Sequence, residues 1–159
     1  MRLKHYLSCM LILLSFVTVN AQEKKELKEG DQAPTFKYLD INGKEVSLSD
    51  LKGKYVYIDV WYELPHLKEL EKKMHGKKIV FVSISCDKDK AAWEKMVKEQ
   101  GLGGVQLHNG GDREFMTAFG IRGIPRFILL DKEGKIVNPN MTRPSNPETE
   151  KTLKALKGI

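Results

Sequence analysis

Cysteine is nearly absent from this chain. Of its 159 residues only Cys9 and Cys86 are cysteine, and no Cys-x-x-Cys pair occurs anywhere. Cys9 falls in a segment expected to be removed, which leaves Cys86 alone and excludes an intramolecular disulfide. Long apolar runs are also missing. The run from Tyr6 to Val19 falls short of the roughly 20 residues that cross a bilayer, so no permanent membrane anchor is expected. No stripe of basic residues interleaved with aromatics is present, which argues against nucleic acid as a partner. Glu63 and His66 stand three apart but lack a third ligand, so no metal is expected. Internal repeats and low-complexity segments are absent as well.

What is present suits one globular domain, with 41% hydrophobic and 30% charged residues. Residues 1–21 read as a signal peptide: Arg2, Lys4 and His5 form a basic start, the apolar run follows, and Val19-Asn20-Ala21 gives small-residue cleavage before Gln22. Export to an extracytoplasmic, disulfide-permissive compartment is therefore expected, which for a bacterium is the periplasm. Cleavage removes Arg2 and Lys4, lowering the formal charge from +6 to +4. The remaining lysines lie among glutamates, as at Glu69, Glu71, Lys72 and Lys73, in the pattern of solvated helix faces.

Residues 22–30 are polar and read as a flexible lead-in to a domain over 31–159. Asp40-Ile41-Asn42-Gly43-Lys44 marks a hairpin turn, with Val46 and Leu48 alternating after it. Tyr55 to Trp61 reads as a buried strand. A helix opens at Glu63-Leu64-Pro65, places Leu64, Leu67, Leu70 and Met74 on one face, and stops at Gly76. Ile79 to Ser85 is an apolar strand of the kind covered on both faces. A helix over about 89–100 carries Trp93, Met96 and Val97, and Asp112 is placed to cap a short helix bearing Phe115, Ala118 and Phe119. Strands are expected at Arg126 to Leu130 and Lys135 to Val137, then a loop from Asn138 to Pro144. A last helix follows, with Ser145 or Asn146 as cap, Pro147 in the first turn and Leu153 and Leu156 inward. Alternating strands and helices imply right-handed crossovers and a parallel sheet centre, with an antiparallel hairpin at each end.

Over about residues 30–158 this pattern resembles the TlpA/ResA-like thiol-disulfide oxidoreductases, a thioredoxin-fold group exported by bacteria. The resemblance is carried by Gly30-x-x-Ala33-Pro34-x-Phe36, by Asp40-x-x-Gly43-Lys44-x-Val46-x-Leu48-x-x-Leu51-Lys52-Gly53-Lys54, by Ile58-Asp59-Val60-Trp61, by Glu63-Leu64-Pro65 and by Gly123-Ile124-Pro125-Arg126-Phe127. It implies a thioredoxin-like α/β fold and, as partners, thiol or disulfide proteins or extended peptides, with no cofactor. In that family a Cys-x-x-Cys stretch lies between the strand ending in Trp and the Glu-x-Pro helix. Here Trp61 passes through Tyr62 to Glu63, so about eight residues are missing, both cysteines among them. Dithiol exchange needs a thiolate of lowered pKa at a helix N-terminus and a second thiol to resolve the mixed disulfide. No catalytic residue set is intact. A peroxidase of the peroxiredoxin type, which the Ala-Pro-x-Phe opening also resembles, would need a cysteine in the same missing place.

The resemblance assigns roles to the residues that remain. Asp59 matches a buried strand carboxylate that assists proton transfer, and on its own terms it must find a hydrogen bond or titrate upward. Glu63 matches a glutamate that tunes thiol acidity, and at a helix start it also suits the dipole. Trp61 belongs to the same surroundings, and is otherwise core together with Trp93, Phe115 and Phe119. Pro125 matches a cis-proline beside which the backbone of Ile124 would pair with an extended substrate. Cys86 ends a strand whose tip faces the rim that held the missing motif, making it the one redox candidate. It is also the sort of cysteine commonly buried as a small hydrophobe. Three functions stay open: an inactive oxidoreductase relative, a binding module using the Pro125 groove, and a single-thiol protein acting through Cys86.

Overall fold

The computed structural model describes residues 26–60 and 64–159. In chain order it holds β1 (Lys37–Asp40), β2 (Glu45–Ser47), a 3-10 turn (Leu48–Leu51), β3 (Tyr55–Val60), α1 (Leu64–Lys73), β4 (Ile79–Ser85), α2 (Lys90–Glu99), β5 (Val105–His108), α3 (Glu114–Ala118), β6 (Arg126–Leu130), β7 (Ile136–Met141) and α4 (Pro147–Lys154). The strands build one mixed sheet in the order β2-β1-β5-β4-β3-β6-β7. β3, β4 and β5 run parallel at its centre, and the β1–β2, β1–β5, β3–β6 and β6–β7 pairs are antiparallel.

β3 is aromatic or β-branched at every position but Asp59, so it suits a central strand, and all six of its residues are buried. Because side chains alternate across a strand, it feeds two cores. Val56, Ile58 and Val60 meet Val82, Ile84, Ile128 and Leu130 on one face, under Phe36, Leu48 and Phe115. Tyr55 and Tyr57 meet Phe81, Phe127 and Leu129 on the other, under Leu67 and Leu70 of α1, Met74 just after it and Leu153 of α4. Trp93 of α2 lies 5.1 Å from the His108 ring and is itself buried.

Two sequence stretches of the form Asp-x-x-Gly-Lys fold into the same turn. Asp40 Oδ1 accepts from the backbone N–H groups of Asn42 and Lys44, and Asp131 Oδ1 from those of Glu133 and Lys135. The glycines Gly43 and Gly134 take φ of 78° and 80°, the left-handed region where a Cβ is penalised. Each turn joins an antiparallel pair, β1 to β2 and β6 to β7.

Several expectations need correction. β5 was not foreseen: four residues behind Gly103 and Gly104, with Gln106 and His108 alternating, give a weak strand signal, yet they pair with both β4 and β1. β7 runs on to Met141, through the stretch read as a loop. Pro139 suggested the break, but β7 is an outer strand, where a missing N–H is tolerated. Arg113, not Asp112, holds the N-cap position of α3, although Asp112 Oδ1 still accepts from Glu114 N–H at 2.8 Å. Phe119 is only partly buried. Contacts also begin inside the stretch read as a lead-in: Leu27 packs on the first core, and Gly30 N–H donates to Ile136 O at 2.8 Å. The leader, Trp61 and Glu63 lie outside the described residues.

Candidate functional site

The antiparallel pairing of β3 with β6 sets Arg126 beside Val60 and Phe127 beside Asp59. Pro125 therefore enters the sheet at the rim where β3 ends, joined to Ile124 by a cis peptide bond. Ile124 is 46% exposed, unusual for so apolar a side chain. Next to it lies a groove of about 710 Å³ lined by Pro125, Arg126, Phe127, Met141, Arg143 and Asn146, among others.

The far wall of this groove is the connection from β7 to α4, and it is firmly held. Tyr57 O–H donates to Thr142 O at 2.9 Å, and Thr149 O–H donates to Arg143 O at 2.5 Å. Asn146 N–H donates to the same Arg143 carbonyl at 2.9 Å, while Asn146 Oδ1 accepts from Glu148 N–H at 3.0 Å and caps α4. Arg126 entered the sequence reading only as part of the Gly123-Ile124-Pro125-Arg126-Phe127 motif, and Arg143 was not singled out. The signal available was two arginines placed close to Pro125 and Pro144 in a chain whose cations are mostly lysine.

Asp59 is 2% exposed and pairs in register with Ser83 of β4. It alternates to the face of Tyr55 and Tyr57. Cys86 follows the end of β4 and packs with Val82 and Ile84 on the opposite core. Both residues sit near one rim, but the sheet lies between them. The Cys86 sulfur is half-buried and 3.3 Å from Met116 Sδ. Burial pushes its thiol above the ordinary range; Arg113 opposes that shift and Asp87 adds to it. Such a thiol is a poor nucleophile at neutral pH.

Around Cys86 the tips of β4 and β5 carry polar side chains that sequence reasoning missed. His108 Nε2 meets Asp87 O at 2.9 Å while Nδ1 accepts from Gly110 N–H at 3.2 Å. Asn109 donates to Asp112 O at 2.8 Å and accepts from Gly111 N–H at 2.9 Å. Tyr38 donates to Asp112 Oδ2 at 2.9 Å. These bonds satisfy buried groups and shape the loop before α3. Among the described residues no group of three His, Cys, Asp or Glu is placed to hold a metal ion, and no helix is long and apolar enough to cross a membrane.

Comparison with known proteins places the arrangement. The Redoxin family matches residues 28–156. The chain belongs to the Redoxin family. Within this family it is TlpA/ResA-like, a thioredoxin-fold relative of the thiol-disulfide oxidoreductases. It is similar to the thiol-disulfide oxidoreductase ResA of Bacillus anthracis, 28% identical over 143 residues that cover 84% of this chain and 82% of the relative. The ResA of Bacillus subtilis strain 168 is 28% identical over 80% of this chain and 76% of its own length. Among solved structures, a Bacteroides vulgatus protein assigned to the thiol-disulfide oxidoreductases is 61% identical, with a TM-score of 0.70 over 77% of this chain and 86% of that one. The thioredoxin domain of another Bacteroides vulgatus thiol-disulfide oxidoreductase is 29% identical, with a TM-score of 0.73 over 81% and 97%. This Redoxin-family chain thus has the α/β architecture expected of it, a mixed sheet flanked by helices.

Proposed function

We propose that this chain is an exported, thioredoxin-like binding protein that keeps the substrate groove of the thiol-disulfide oxidoreductases and has lost dithiol exchange. The observation that carries this reading is an open groove at Pro125 in a chain whose only cysteine beyond the leader is turned to the opposite face from Asp59. A thiol needs a proton acceptor and an exposed sulfur to attack a disulfide. Cys86 has Met116 against its sulfur, and its pKa is raised by burial, which counts against a single-thiol protein. The exposed Ile124 edge and the adjoining walls are instead suited to an extended peptide. Export rests on the leader over residues 1–21 and is tested by the mass of the mature chain, which should begin at Gln22.

The test of lost chemistry is insulin reduction under dithiothreitol. Addition of the protein should leave the rate at background, and turnover clearly above it would overturn the reading. Trapping of a mixed disulfide that disappears in Cys86→Ser would instead favour the single-thiol function.

A further inference from the structure

The positive charge of this chain is not spread evenly. β3 and β4 begin in register, Tyr55 opposite Ile79, while β6 ends and β7 begins beside them at Leu130 and Ile136. This end of the sheet lies opposite the rim of Pro125 and Cys86. Gly53 N–H donates to Lys132 O at 2.8 Å, Tyr55 N–H to Lys78 O at 2.9 Å, Tyr55 O–H to Lys157 O at 3.1 Å and Lys132 Nζ to Gly158 O at 2.7 Å. Those bonds gather four segments, residues 52–54, 77–78, 131–135 and 157–159.

The gathered segments hold seven lysines and only two acids, Asp131 and Glu133, a formal side-chain charge of +5. The chain beyond the leader carries +4 in all, so everything outside these segments sums to −1. Counting the terminal carboxylate at Ile159 still leaves this end at +4. Asp131 Oδ1 is taken by the N–H groups of Glu133 and Lys135, and Asp31, which flanks the patch beside Ile136, accepts from Lys28 N–H. Among the described residues no lysine of these segments is in an ion pair. Lys132 lies over the Tyr55 ring, and the other six are exposed. A helix dipole favours a nearby cation, but its reach fades within the last turn. α1 ends at Lys73 and α4 at Lys154, short of Lys77, Lys78 and Lys157, and Lys52, Lys54 and Lys135 follow no α-helix.

The chemistry of the patch selects among anionic partners. It contains no arginine, and the exposed large apolar side chains of the described residues, Leu39 and Ile124, lie elsewhere. Interfaces with proteins concentrate arginine and aromatics and are poor in lysine. An ammonium is a hydrated point charge on a flexible stem, which suits a broad anionic plane that demands no fixed geometry. We propose that this end of the sheet docks on an anionic phospholipid surface, with the Pro125 rim turned away from the bilayer. The docking face and the Pro125 groove stand on separate observations.

Co-sedimentation of the mature protein with vesicles tests the assignment. At about 0.1 M salt, where charges act over about 10 Å, the protein should pellet with phosphatidylcholine vesicles containing about one third phosphatidylglycerol and stay in solution with phosphatidylcholine alone. At 1 M salt, where that reach is about 3 Å, binding should be lost. Lys77→Gln with Lys78→Gln should weaken partition about tenfold or more; both side chains are exposed and the Lys78 carbonyl that Tyr55 uses is kept. Lys95→Gln with Lys98→Gln on α2 removes the same charge elsewhere and should leave partition within about twofold of the parent. Equal loss in the two double variants overturns the docking face in favour of net charge. Absence of binding to the anionic vesicles overturns the proposal outright, and retention on immobilised polyglutamate in that case would give the patch to an acidic polypeptide instead.

Discussion

Tyr38 is a buried phenol that donates its proton to Asp112. Burial first, and then that hydrogen bond, raise its pKa above the ordinary tyrosine value. The folded chain thus keeps the proton over a range in which the unfolded chain has lost it. Stability from this group is complete below about pH 10, the unfolded value, and declines as pH rises above it. Tyr38→Phe should cost about 1 kcal/mol at pH 7 through the lost hydrogen bond. The variant should also lose less stability than the parent between neutral and strongly alkaline pH, read from urea midpoints. An equal decline in both proteins would mean that Tyr38 does not set the alkaline limit.

At the scale of elements, α4 is fixed to α1 partly through charge. Glu150 accepts from Lys73 of α1 at 2.8 Å and from Lys154 of its own helix at 2.6 Å, and these two partners lower its carboxyl pKa to about 2. A carboxyl lowered on folding contributes stability that is full above its unfolded value and lost as pH falls toward the folded one. The window is therefore about pH 4.5 down to 2. Glu150→Gln should flatten the acid side of the stability profile in that window, and added salt should shrink the difference because the group is partly exposed. A second element-scale test lies where α2 turns into β5. Gly104 has a φ of 63°, and a Cβ there would sit 2.7 Å from the Phe81 carbonyl oxygen. Gly104→Ala should destabilise by about 1–3 kcal/mol, by strain as well as by overlap, and a melting temperature within a degree of the parent would contradict this.

Elements whose residues agree with their surroundings were readable from sequence. β3 and β4 are apolar because helices cover both faces, and the apolar stripe of Leu67 and Leu70 on α1, continued by Met74 in the turn after it, matches what it buries. Where a residue's role is set by a distant partner, local pattern misleads. Val105 to His108 look polar alone and become a strand through pairing with β4 and β1. Pro139 signals a loop by composition, yet the sheet ends beside it, and the strand continues. Of the candidate site, Cys86 was placed at the rim by strand order, while Asp59 and Pro125 were singled out by the family resemblance. That Cys86 and Asp59 point to opposite sides follows from the parity of each strand in three dimensions. That Arg126 and Arg143 line one groove escaped, because their meeting depends on the antiparallel return of β7 beside β6.

For the whole molecule, the shortage of cysteine means that folding has no oxidation step to complete. Thermal unfolding should be the same with and without dithiothreitol; a melting temperature lowered by the reductant would reveal an intermolecular disulfide through Cys86. Charge and shape meet at the outer margins of the sheet. On one side β2 is only three residues long, and Glu45 on it pairs with Lys37 at 2.7 Å. On the other, Gly30 and Asp31 occupy both backbone groups of Ile136, and Pro139 offers no N–H. Neither margin offers a long run of open donors and acceptors, so a neighbouring chain finds no template to extend. Such a sheet is a poor seed: concentrated solutions stored for weeks should stay free of fibres, a durability that comes from a proline and two loop residues.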